Sequence, residues 1–215
     1  MITIAPSILA PDLNSFAAQA ELFSTFAKRI QIVDGNFAPT RTIQLSNIDK
    51  LPSNETIWDF HMMVETPSKT IQDVVRLKPN LCIFHAEVDE RLQPIFENLH
   101  SSGIRVGVAL LPGTYPGDLR TIISSVDHVL IFAGSLGRQG GTADLLQLEK
   151  VEIIRSINPN VEISWDGGAN ASNIRAIANS GLNVVTVGSA ISHSSDPATT
   201  FKELNTEADR PGVLI

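Results

Sequence analysis

The chain has little of what secreted, membrane-spanning and nucleic-acid-binding proteins depend on. Cys82 is the only cysteine, so no disulfide forms within the chain and a reducing compartment is expected. No apolar run approaches the roughly 20 residues of a membrane span. No run of basic residues occurs, and 16 Lys and Arg against 23 Asp and Glu give a net charge of -7. These absences predict a cytoplasmic protein with no nucleic-acid partner and no membrane partner.

What the sequence does contain is enough apolar material for one large core. Its 215 residues are 43% hydrophobic, and no linker, low-complexity segment or internal repeat divides them. We therefore expect a single domain over residues 1–215.

Short apolar runs rich in β-branched residues alternate with segments of helical spacing. The eight predicted strands are Ile2–Ile8, Ile30–Val33, Ile57–Val64, Asn80–His85, Ile104–Leu110, His128–Ala133, Val161–Trp165 and Asn183–Val187. The clearest helical segments are Leu13–Phe26, Arg91–Ser101, Leu145–Ile157 and Ala171–Ser180. Regular alternation of this kind predicts parallel strands, and eight units of this length favour a (β/α)8 TIM barrel over the alternative, an open doubly wound sheet.

Glycines follow the last three predicted strands, where such a barrel would carry its active site. Gly167-Gly168 and Gly188-Ser189 each precede a helical segment, and the loop 134–141 includes Gly137 and Gly140. Glycine lets backbone N–H groups approach an anion, and phosphate sites after strands seven and eight recur in this fold. The pattern predicts phosphate binding, with simple turn formation as the alternative.

Titratable side chains end the third, fourth and seventh strands. Because side chains alternate along a strand, Asp59, His61 and Met63 should share one face, and His61 could meet Asp166 from across the barrel. An imidazole and a carboxylate suit either a divalent metal or proton transfer. His85 and Glu87 finish the fourth strand, where they would contact the substrate, support the residues that contact it, or form a hydrogen-bonded pair at the rim. We expect Ser7, His61, His85 and Asp166 to open onto one cavity.

Taken in order, several motifs resemble the ribulose-phosphate 3-epimerase family. The likeness runs from the first strand to the last helix. The motifs are Ala5-Pro6-Ser7-Ile8-Leu9-Ala10, Val33-Asp34-Gly35-Asn36-Phe37-Ala38-Pro39, His61-Met62-Met63-Val64-Glu65-Thr66-Pro67, His85-Ala86-Glu87, Gly107 to Thr114, Asp166-Gly167-Gly168 and Gly188-Ser189-Ala190.

The resemblance implies a barrel enzyme that acts on a phosphorylated ketose. It would invert the carbon next to the ketone of a pentulose phosphate, through an enediolate held by a divalent metal such as Zn, Fe or Mn. In the family two aspartates act from opposite faces, and they bind the metal together with two histidines. His61 and Asp166 match two of those four ligands. Assembly into a homo-oligomer stays open.

The second strand departs from the family pattern. Counting back from Val33-Asp34-Gly35, the family's histidine ligand falls on Arg29, and its aspartate, both ligand and acid/base, falls on Gln31. A guanidinium is permanently charged and cannot ligate a metal, and a glutamine cannot exchange a proton at neutral pH. These positions predict that catalysis, if retained, uses Asp166, Gln31 and Arg29 in altered roles.

Three hypotheses follow from this departure. In the first, the chain is a working isomerase in which Arg29 replaces the metal as the cation beside Asp166 or Asp59, and Asp59 or Glu87 supplies the second proton-transfer group. In the second, it is a non-catalytic or altered-function sugar-phosphate-binding barrel. A third, a phosphosugar aldolase or decarboxylase, is disfavoured because no lysine ends a predicted strand.

Overall fold

The protein folds as a closed barrel of eight parallel strands in sequence order. The computed structural model describes residues 2–35, 42–52, 55–134 and 140–211. The strands are β1 (Thr3–Ile8), β2 (Arg29–Gly35), β3 (Ile57–Met63), β4 (Leu81–His85), β5 (Arg105–Leu110), β6 (His128–Phe132), β7 (Glu162–Asp166) and β8 (Val184–Val187). Pairing of β1 with β8 closes the barrel. The predicted (β/α)8 barrel is confirmed, and the open sheet is excluded.

Eight α-helices lie in the described part of the chain. They are α1 (Leu13–Ser24), α2 (Ile71–Leu77), α3 (Gln93–Ser101), α4 (Arg120–Ile123), α5 (Lys150–Ile157), α6 (Ile174–Ala178), α7 (Ser189–Ser192) and α8 (Pro197–Ala208). None of the described helices is long and apolar enough to cross a membrane.

Two of the helices are shorter than their sequence pattern indicates. The predicted segment Leu145–Ile157 begins with a 3-10 turn over Leu145–Glu149 and becomes α-helical only afterwards. Within the predicted segment Ala171–Ser180, only α6 is α-helical. There the Asn170 side chain accepts hydrogen bonds from the backbone and hydroxyl of Ser172. Such local side-chain bonds offer the backbone an alternative to the first helical turn.

Alternation along the strands creates two apolar layers. One face of each strand packs against the helices, and the other fills the barrel, where Val33, Met63, Ile83, Leu130 and Phe132 form a buried cluster. Polar side chains share the interior with this cluster. One polar layer, made of Arg29, Asp59, His128 and Glu162, lies toward the amino-terminal ends of the strands, and a second, made of Gln31, His61, His85 and Asp166, lies further toward their carboxyl ends.

Arg29 organises the amino-terminal layer. Its guanidinium donates to Asp59 and makes two bonds to Glu162, at 2.8 and 2.9 Å. His128 Nδ1 lies 2.8 Å from the same carboxylate. Burial raises the pKa of Asp59 despite the nearby Arg29 charge. Burial acts in the same sense on Glu162, but the hydrogen bonds from His128 and Arg29 outweigh it and hold the pKa of that carboxyl far below its usual range. This layer is an ion-pair network that fills the amino-terminal end of the barrel.

Candidate active site

Asp166 is the centre of the carboxyl-end layer. Its Oδ2 accepts a hydrogen bond from Gln31 Nε2 at 2.7 Å and lies 3.0 Å from His61 Nδ1. Gln31 is held in turn by Thr186, whose hydroxyl donates to Gln31 Oε1 at 3.1 Å. The Asp166 side chain is 15% exposed, whereas His61 is fully buried. Asp166 is thus a carboxylate with a fixed orientation that can still be reached from the barrel mouth.

His61 and His85 form a chain of imidazoles that leads away from Asp166. Their Nε2 atoms are 3.0 Å apart, and both rings pack against the edge of Phe132. Because the carboxylate accepts, His61 carries its proton on Nδ1. One of the two Nε2 atoms donates to the other, and His85 Nδ1 faces the Glu87 carboxylate.

Glu87 lies behind His85 at the rim. Its Oε2 is 3.5 Å from His85 Nδ1, and its Oε1 accepts from the backbone of Leu111 at 2.9 Å and from the Thr114 hydroxyl. Burial lowers the pKa of His85, because it penalises the imidazolium. For Glu87, burial is outweighed by the bonds from His85, Thr114 and Leu111, and its pKa is lowered. Both residues line a cleft, together with Glu65, Asp89 and Glu90.

The predicted phosphate-binding residues lie close together at the ends of β1 and β8. A Cβ built on Gly188 would lie 2.9 Å from Ser7 Oγ, and one on Gly140 would lie 3.3 Å from Ser189 Oγ. Ser7 is buried. Gly137 lies outside the described residues. Ser7 and Gly188 therefore lie next to each other, as do Gly140 and Ser189.

The backbone around Gly167 and Gly168 requires glycine at both positions. Their φ angles are +124° and +67°, and a Cβ on either would lie 2.2–2.3 Å from a backbone nitrogen, of Gly134 or Ala143. Only glycine permits this approach. Both glycines hold the end of β7 against the loop that follows β6, whether or not a phosphate binds there.

The structure divides the predicted residues between the two polar layers. It brings His61, His85, Gln31 and Asp166 together, and Met63 follows His61 at the carboxyl end of β3, in the apolar cluster. Arg29 contacts Asp59, one of its two predicted partners, but its other partner is Glu162 rather than Asp166, so it does not take the place that the family gives to the metal. This geometry favours Gln31, not Arg29, as the group that faces Asp166.

The residues present do not fit the metal site that the resemblance implies. Arg29 is committed to Asp59 and Glu162, and Gln31 directs an N–H donor at Asp166 where a ligand would direct a lone pair. Across residues 2–35, 42–52, 55–134 and 140–211, no group of three or more His, Cys, Asp or Glu side chains is arranged to hold a metal ion. We derive no chemical step through a metal.

Comparison with known sequences settles the family. The profile described as the Ribulose-phosphate 3 epimerase family matches residues 3–192. The chain belongs to the ribulose-phosphate 3-epimerase family. It is 28% identical over 208 residues to ribulose-phosphate 3-epimerase of Schizosaccharomyces pombe, covering 94% of this chain and 91% of that one. It is 30% identical over 201 residues to the Helicobacter pylori protein of the same name, covering 90% and 92%. The names of these relatives support an enzyme of the isomerase class.

Solved structures with low sequence identity share the fold. The 3-hexulose-6-phosphate synthase of Salmonella typhimurium has a TM-score of 0.74 at 14% identity, covering 96% of this chain and 98% of that one. KGPDC of Streptococcus mutans has a TM-score of 0.71 at 11% identity, covering 98% of each chain. At these identities the likeness establishes the barrel alone.

Sequence reasoning missed Thr186 and Phe132, which support the site from within the barrel. Thr186 holds the Gln31 amide, and Phe132 packs on both imidazoles. Period-two alternation places Thr186 on the inward face of β8, so that signal was present. No local sequence pattern distinguishes Phe132 from an ordinary core residue.

Proposed function

We propose that this member of the epimerase family is a sugar-phosphate isomerase that acts on a pentulose phosphate by proton transfer at the carbon next to the ketone. The observation that carries the proposal is the Asp166 carboxylate, held by Gln31 and His61 at the mouth of the barrel. A fixed carboxylate in partial contact with solvent is suited to act as a general base. The family membership supports the substrate class.

In the proposed reaction Asp166 removes the proton and an enediolate forms. The N–H groups of Gln31 and His61 fix the orientation of the carboxylate, and the second Nε2–H of Gln31 would serve as a neutral donor for the developing negative charge. Neutral donors stabilise such a charge less than a metal ion does, so we expect slow turnover. The substrate phosphate would contact the backbone near Gly168 and Gly188-Ser189.

Inversion needs a second group on the opposite side of the carbon. Asp59, one of the two candidates from the sequence, is bound to Arg29 in the other polar layer. Glu87 with His85 is therefore the better candidate, because this pair adjoins His61 and lines the mouth. We propose that His85 returns the proton and that Glu87 supports it.

The experiment is solvent-exchange NMR with D-ribulose 5-phosphate in D2O. We expect deuterium at carbon 3 together with formation of D-xylulose 5-phosphate. Asp166→Asn should slow exchange by about 10²–10⁴-fold, the usual contribution of a general base. Asp209→Asn, an exposed change at the end of α8, is the matched control. Exchange unaffected by Asp166→Asn would contradict the assignment.

The second candidate function is non-catalytic sugar-phosphate binding. It is favoured by Gln31 at the position where the family pattern has an acid/base aspartate. In that case the same NMR samples would show tight binding of D-ribulose 5-phosphate and no deuterium incorporation.

A further inference from the structure

Lys150 is a buried cation that the proposed reaction does not yet use. It is the first residue of α5 and is 8% exposed. Its ammonium donates to the carbonyl oxygens of Leu111 and Pro112, at 2.7 and 3.2 Å. Burial of an ammonium costs free energy unless hydrogen bonds compensate. These two bonds therefore fix Lys150 against the loop 111–114, which follows β5.

The loop that Lys150 holds is also the loop that orients Glu87. The backbone N–H of Leu111 donates to Glu87 Oε1 at 2.9 Å, and the Thr114 hydroxyl donates to the same oxygen. The backbone N–H of Thr114 donates in turn to the Leu111 carbonyl at 3.0 Å, the carbonyl that Lys150 binds. Leu111 therefore lies between the ammonium on one side and the carboxylate on the other.

Glu87 faces the imidazole that is proposed to return the proton. Its Oε2 is 3.5 Å from His85 Nδ1, which is close to the upper limit for a hydrogen bond. The Glu87 side chain is 27% exposed, so it depends on the loop 111–114 for its orientation. A small displacement of that loop would break the contact with His85.

We propose that Lys150 is a positioning residue, which keeps Glu87 beside His85 by holding the loop 111–114 and so supports proton delivery to the opposite face of the substrate carbon. The inference rests on the proposed function and concerns only its second proton transfer. In that step a C–H bond forms as an N–H bond of protonated His85 breaks, and solvent reprotonates the ring. The Glu87 carboxylate favours the protonated ring. Proton removal by Asp166 should be affected less, because that carboxylate is held from β2 and β3.

Deuterium partitioning in D2O tests this role at low conversion of D-ribulose 5-phosphate. Return to the original face leaves deuterium in the recovered substrate, whereas return to the opposite face gives deuterated D-xylulose 5-phosphate. Lys150→Met keeps a side chain of similar length and removes the ammonium. Product formation should fall roughly tenfold, the effect of one hydrogen bond to a charged group, while exchange into the substrate continues. The ratio of exchange to inversion therefore rises, whereas a general loss of folded protein would lower both rates equally.

Two further variants control this measurement. Lys150→Arg keeps the charge and the donors, and should restore a ratio close to that of wild type. Lys202→Met removes an exposed lysine from α8 and should leave the ratio unchanged. An unchanged ratio in Lys150→Met would overturn the proposal.

NMR spectroscopy of the free protein separates this inference from the proposed function. The nitrogen shifts of the His85 ring, assigned with His85→Gln, report its contact with Glu87 and need no substrate. We expect Lys150→Met to move them toward the values found in Glu87→Gln. If the wild-type protein neither exchanges deuterium nor forms product, the proposed function fails, but moved shifts still assign Lys150 as the residue that positions Glu87. Unmoved shifts would overturn the inference even in an active enzyme.

Discussion

At the scale of single residues, Gln31 is the position that most separates this chain from the family pattern. Its amide replaces a carboxylate and donates to Asp166, while Thr186 holds its other end. A carboxylate at this position would face Asp166 with a like charge, and such a pair stabilises a bound cation instead. The change from Asp to Gln therefore turns a cation-binding pair into a hydrogen-bonded one.

Gln31→Asp should create divalent-metal affinity, because it restores a carboxylate beside His61 and Asp166. Without metal, the variant should unfold at a lower temperature than wild type at pH 7, owing to repulsion between the two carboxylates. Titration calorimetry with Zn²⁺ or Mn²⁺ and thermal unfolding measure both effects. Gln31→Asn is the matched control, since it shortens the side chain equally without adding charge. Equimolar metal in wild-type protein would contradict this account.

Glu87 and Asp166 show why residue type alone does not assign a role. Both are acidic residues at or just beyond the end of a strand, yet Glu87 accepts from the backbone of Leu111 and from Thr114, while Asp166 accepts from two buried side chains. Their different partners assign Glu87 to the rim and Asp166 to the centre.

At the scale of elements, the amino-terminal layer ties β2 to β3 and β7 through Arg29. Removing one member of a buried ion pair leaves an uncompensated charge, at a cost of about 3–5 kcal/mol. Arg29→Met keeps the length of the side chain and removes its charge. We expect it to lower the free energy of unfolding by that amount at pH 7. Arg105→Met is the control, because Arg105 reaches Glu162 with a half-exposed side chain and should contribute under about 1 kcal/mol.

The deficit of Arg29→Met should depend on pH. The pKa of Glu162 is lowered in the folded protein, so its contribution is present above the unfolded pKa of about 4.3 and is lost as pH falls below it. The raised pKa of Asp59 would rise further without Arg29. Protonation of Asp59 relieves its unpaired charge in the variant, so the deficit should shrink between pH 7 and pH 4. Urea unfolding across that range measures it, and a deficit that is constant with pH would refute the ionic explanation.

At the scale of the whole molecule, closure of the barrel makes each strand depend on both neighbours. Thr3, Ile4, Ala5 and Pro6 pair with residues 184–187, so the first and last strands complete one sheet. A closed sheet has no edge at which part of it could separate cheaply. We therefore propose that residues 1–215 fold as one cooperative domain.

The two tryptophans provide a test of that cooperativity. Trp58 on β3 and Trp165 on β7 are both buried in the layer between barrel and helices. Trp58→Phe and Trp165→Phe each leave a single fluorescent reporter on one side. In each variant, the urea midpoint from fluorescence should coincide with the midpoint from far-UV circular dichroism. Separate midpoints would indicate two folding units.

Local sequence patterns were enough to predict the strands, the family and part of the candidate site. Short apolar runs rich in β-branched residues, separated by helical segments, predicted all eight strands within a few residues of their bounds, because a strand buried on both faces is apolar along its own length. The strand-end motifs predicted the family and identified His61 and Asp166 as candidate site residues. Counting back from Val33-Asp34-Gly35 also placed Arg29 and Gln31 at two of the family's ligand positions.

Only the tertiary structure decided which polar layer each of them joined. Arg29 meets Glu162 at a separation of 133 residues, and Gln31 meets Asp166 at a separation of 135. Partners across a barrel are selected by the tilt and stagger of its strands, which arise from closure of the whole sheet. No local pattern carries that information. For this reason the sequence indicated an arginine beside the reacting carboxylate, whereas the folded barrel brings a glutamine there and keeps the arginine at its other end.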